Sequence, residues 1–88
     1  MISIKKEAEK EKARMCKVID KLEIKKDKKA SEFHDMAKNY FFDGCHFLEK
    51  GMDIEAFEAF IISWAYVDAG LKMNFFSVPE NQKEWFTA

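Results

Sequence analysis

The sequence is poor in the residues that interrupt helices. One proline, Pro79, and three glycines, Gly44, Gly51 and Gly70, serve 88 residues. β-Branched residues never run beyond two in a row and no stretch alternates apolar with polar, which excludes an extended sheet as the frame. Arginine is reduced to Arg14 alone. Its guanidinium fork is the usual reader of base edges, so its scarcity argues against sequence-specific nucleic-acid recognition. The two cysteines, Cys16 and Cys45, form no CxxC and have no His at ligand spacing. Free thiols of an intracellular protein are expected, and neither a disulfide framework nor a metal site. The longest apolar stretch, residues 56–71, is broken by Glu58, Ser63 and Asp68. It falls short of the roughly 18–20 uninterrupted residues of a membrane span. The first residues run straight into lysines without an apolar leader core, so the cytoplasm is the expected location.

What is present is apolar and aromatic. Hydrophobic residues make up 48% of the chain, including nine Phe, two Trp and two Tyr, enough in kind for one core. The net charge of −1 hides an asymmetry: residues 1–29 carry eleven Lys/Arg against six acids, residues 30–88 four lysines against ten acids. A basic arm on an acidic body fits an anionic partner, an internal attraction, or another copy of the chain.

The periodicity predicts an all-α protein, a three-helix up-down-up bundle in a single domain. The first helix is expected over residues 4–24, with Ile4, Ala8, Met15, Val18, Ile19 and Leu22 in one narrow stripe that Glu11 interrupts. The second spans residues 32–50 with Ser31 as its N-cap. Its wide apolar face carries Phe33, Met36, Ala37, Tyr40, Phe41, Gly44, Phe47 and Leu48. Gly51 is placed to end it and Asp53 to cap the third helix, residues 54–74. So short a connection makes helices two and three antiparallel neighbours. Helix three is apolar almost all round and must be covered on more than one side. The tail, residues 75–88, is expected to make a short helical turn after Pro79 and to dock through Trp85 and Phe86.

Candidate functional residues follow from polar groups on apolar faces and from exposed aromatics. Asp68 lies within the apolar arc of helix three, and Asp43 at the edge of that of helix two. Such carboxylates need partners or a raised pKa. A satisfied structural network is the leading expectation for Tyr40, Asp43 and Asp68. The functional alternative is one polar pocket between helices two and three, where they face a small ligand or cation. Phe42, on the polar side of helix two, is a candidate partner contact, as are Tyr66, Trp85 and Phe86. His34 and His46, twelve residues apart, are read as solvated and make no metal pair. No base attends either cysteine, and no phosphate loop is present. No cofactor is expected.

Several segments together resemble a family of short archaeal proteins known only as a domain of unknown function. They are Ala37-Lys-Asn-Tyr40-Phe-Phe-Asp43, Phe47-Leu-Glu-Lys-Gly51 with Ala56, Tyr66-Val-Asp68-Ala-Gly70-Leu, and the closing Trp85-Phe86-Thr87. The resemblance covers residues 30–88, with the first helix matching only as an amphipathic segment, and Gly44 stands where the family has Ser or Ala. It implies a closed three-helix bundle and no catalytic residues. The leading expectation is a non-enzymatic interaction or scaffold module that pairs with itself as a homodimer. A ligand-binding or accessory enzyme domain using the Tyr40/Asp43/Asp68 pocket comes second. Nonspecific nucleic-acid binding through the lysine-rich first helix is the weakest reading.

Overall fold

In the computed structural model, which describes residues 3–86, three helices pack as predicted: α1 (Ile4–Lys21), α2 (Lys28–Glu49) and α3 (Asp53–Lys72). Helix α3 touches both others and packs most extensively on α2. The molecule is 39 Å along its long axis and 17 Å along its short one.

Each boundary has a local cause. Ser3 caps α1 by accepting from the Lys6 amide at 3.3 Å. The helix ends at Lys21, short of residue 24, because Leu22 turns extended and Glu23–Ile24 forms a strand, β1. That strand pairs antiparallel with β2, Phe76–Ser77. A two-residue pairing with a distant segment leaves no periodic signal in the sequence. Helix α2 starts earlier than expected, at Lys28, because Asp27 and not Ser31 is its cap. The Asp27 carboxylate accepts from the amides of Lys29 (2.8 Å) and Ala30 (3.2 Å). An anion at a helix N-terminus outcompetes a hydroxyl one turn later.

The α2–α3 hairpin turns at Gly51, whose φ of 75° suits a residue without Cβ. The Met52 amide donates to Phe47 O at 2.9 Å and the Gly51 amide to Leu48 O at 3.1 Å, a Schellman closure. Asp53 is the first residue of α3 rather than its cap, and Met52 precedes it with no side-chain cap bond. The closure recurs at the end of α3. There Asn74 takes the left-handed position (φ 61°) and the Phe75 amide reaches Gly70 O at 2.8 Å.

The core lies along α3. Phe60 is fully buried on Gly44, where a Cβ would come within 2.5 Å of its ring. Ser63, also fully buried, donates to the Ala37 carbonyl at 2.7 Å and ties α3 to α2. Ala8, Met15 and Val18 of α1 close the core. The tail forms a 3-10 segment, Glu80–Trp85, that lies against α1 through the Gln82 amide on Lys17 O (3.3 Å).

Candidate functional site

Helix α1 covers one side of the α2–α3 hairpin only. On α2 that side holds Cys45, whose thiol burial pushes upward while the nearby Lys12 of α1 pulls it down. On α3 it holds Trp64, with the Arg14 guanidinium 3.9 Å above its ring. Tyr40, Asp43 and Phe47 lie more than about 120° round α2 from Cys45, and Ala59, Ile62 and Tyr66 likewise from Trp64. These residues form the uncovered side.

A groove of about 330 Å³ runs along it, lined by Tyr40, Asp43, Phe47, Glu55, Glu58, Ala59 and Ile62. Its floor is aromatic and aliphatic. Its rim is three exposed carboxylates, Asp43, Glu55 and Glu58, and no ion pair engages them among the described residues. From the groove an aromatic ladder continues along the hairpin. Tyr40 stacks on Tyr66 (6.0 Å), Tyr66 meets Phe33 edge-on (5.7 Å), and Phe33 meets Phe75 edge-on (5.3 Å). Such pairs hold helices in register and add about 0.5–1.5 kcal/mol each beyond burial.

Of the three residues read for a shared pocket, two lie together. Tyr40 and Asp43 share the groove, but Asp68 does not belong to it. Tyr66 faces Tyr40, and Asp68, two residues on, points about 200° away round the helix. Its side chain, 21% exposed, pairs instead with Lys72 at 3.7 Å. Among the exposed aromatics, Phe42 is 61% accessible and touches Phe41 edge-on. Tyr66 is half-buried in the ladder and Trp85 half-buried in the tail. Phe86 is not a free contact surface: it is buried, stacked on Trp64 at 4.4 Å. His34 is not simply solvated either. It packs edge-on against Phe76, and burial, aided by Lys38 and opposed by Asp35, lowers its pKa.

A second polar cluster went unread in the sequence. Glu11 is 7% exposed, and both its oxygens accept from Arg14 Nη2, at 3.0 and 2.7 Å. Arg14 lies over Trp64, and Trp64 over Phe86, so carboxylate, guanidinium, indole and phenyl ring follow one another from α1 to the chain's end. The available signal was the lone Glu within a narrow apolar stripe, three residues before the only arginine. The cluster ties α1 to α3 and to the tail. Among the described residues no three His, Cys, Asp or Glu side chains are grouped to hold a metal ion. No described helix is long and apolar enough to cross a membrane.

The sequence model of a family described as "protein of unknown function (DUF357)" matches residues 6–76. The chain belongs to this family. The match begins in the first turn of α1 and ends at β2, so α1 is part of the family's pattern, while the 3-10 segment with Trp85 and Phe86 lies beyond it. Among solved structures, the crystal structure of protein AF1782 from Archaeoglobus fulgidus, of the same family, is 25% identical. It superposes with a TM-score of 0.76, covering 86% of this chain and 93% of that one. No curated protein matches the chain at a significant level.

Proposed function

We propose that the chain is a non-enzymatic interaction module that associates with a second copy of itself through the uncovered side of the α2–α3 hairpin. The observation that carries this reading is the groove there: an apolar floor, a rim of three carboxylates without ion-pair partners among the described residues, and 39%-exposed Ile62 in its lining. The same chain supplies the complementary chemistry in its lysine-rich first third. Light scattering across a concentration series at low salt tests the reading. The mean mass should rise above the 10.4 kDa of one chain, and Ile62→Asp should bring it back. A single-chain mass at every concentration would overturn self-association.

The groove also favours a second reading, a small organic cation held by the charges of Asp43, Glu55 and Glu58 with Tyr40 at its edge. Thermal shift with polyamines tests it. A response lost in Asp43→Asn supports it, and no response removes it. Nucleic-acid binding through α1 has less support, because Arg14 is engaged by Glu11 and Trp64.

A further inference from the structure

Two surfaces of opposite chemistry stand at opposite ends of α2. At its N-terminal end, residues 21–29 hold five lysines against two acids. Lys25, Lys26, Lys28 and Lys29 are exposed and make no ion pair among the described residues. The carboxylate of Asp27 in their midst is turned onto the first amides of α2. Ile24, 37% exposed, adds an apolar anchor beside them. The result is a basic knob with an aliphatic tip. Towards the other end, residues 43–58 hold five acids and one lysine. Three of those acids rim the apolar groove.

These surfaces fit one another and cannot meet within one chain. At about 1.5 Å per residue the helix holds Lys28 and Asp43 roughly 22 Å apart. Pairing like with like is opposed at both ends. Groove against groove would face six carboxylates across one interface, and knob against knob would crowd lysines.

We propose that copies of this chain join head to tail, the loop of residues 24–29 of one entering the acid-rimmed groove of the next. This rests on the self-association proposed above and specifies its geometry. The contact is heterologous, so each added copy presents a fresh groove at one end and a fresh knob at the other. Assembly grows into a ring or an open chain rather than stopping at a symmetric pair. The groove is small and the contacts are charge-led, so the assembly is weak and screened by salt.

Three proteins test the polarity by light scattering: the wild type, the groove variant E55K/E58K, and the knob variant K25Q/K26Q/K28Q. The wild type should pass beyond two chains at low salt and return to 10.4 kDa at about 0.5 M salt, where the screening length falls to a few ångströms. Each variant alone should stay single. An equal mixture should stop at two chains, because only one intact groove and one intact knob remain. A knob variant that assembles like the wild type would overturn the head-to-tail geometry and leave self-association standing. So would a groove variant that assembles as well as the wild type or better. A wild type that never exceeds one chain overturns both proposals together.

Discussion

Replacing Gly44 by alanine sets two effects of known sign against each other. In an exposed helix interior the change is favourable by about 1 kcal/mol, because alanine restricts the unfolded chain and suits the helix better. Here the added methyl would lie 2.5, 2.6 and 2.9 Å from three carbons of the Phe60 ring. Contacts under 3.0 Å cannot persist. Phe60 is fully buried beneath Phe41, so its ring has no solvent to move into. Overpacking of this kind costs about 1–3 kcal/mol, so the net expectation is a loss of up to about 2 kcal/mol. For a domain of this size each kcal/mol corresponds to about 4–8 °C in Tm. Thermal melts of Gly44→Ala, Phe60→Leu and the double variant form a cycle. Leucine opposite the new methyl should relieve the clash, so the double variant should be more stable than the two single losses predict. A Gly44→Ala variant that melts above the wild type, or a cycle with no coupling, would refute the account of the α2–α3 contact. The same reasoning says that a relative with Ser or Ala at this place has a smaller or displaced residue opposite it.

The Glu11–Arg14 pair gives an asymmetric prediction. Glu11→Ala leaves Arg14 half-covered without its counter-charge and should cost about 1–3 kcal/mol by urea melts, whereas Glu11→Met with Arg14→Met should recover most of that loss. Asp27→Ala removes the cap of α2 and should cost about 1 kcal/mol, while Ser31→Ala should cost little, which separates the two candidate caps in the same assay. His34 supplies a pH dependence. Its folded pKa lies below the ordinary imidazole value near 6.5, so the unfolded chain binds the proton more readily. The stability from its neutral form is present above that value and is lost as pH falls below it. Tm should therefore drop from about pH 7.5 to pH 5.5, and His34→Gln should flatten the drop.

The hairpin was legible because three signals agreed. Gly51 fits a left-handed position, the flanking segments carry helical periodicity, and Gly44 sits mid-face where a neighbour must come close. The start of α2 was less legible. Asp27 stands among lysines that read as a linker, and its capping role shows only when its carboxylate is seen on the amides of Lys29 and Ala30. Pairing of β1 with β2 joins residues far apart in sequence, which no local pattern encodes. The candidate site shows the limit of one-helix reasoning. Asp43 and Asp68 each lie near an apolar arc of their own helix, but an arc covers several flanks. Only the Tyr40–Tyr66 stack settles which flank of α3 faces the groove, and it leaves Asp68 on another. Phe86 illustrates the opposite case: docking was foreseen, and its partner, Trp64 beneath Arg14, required the fold.

The short β1–β2 clasp has a geometric consequence. Paired strands run about 5 Å apart, so the chain departs from Ile24 and returns to Phe76 at nearly the same point. Everything between them, both long helices and the groove, is a closed excursion from that point. Such a segment has its two ends placed for splicing into a surface loop of an unrelated protein, but the host must supply an apolar cover in place of Ala8, Met15 and Val18 of α1.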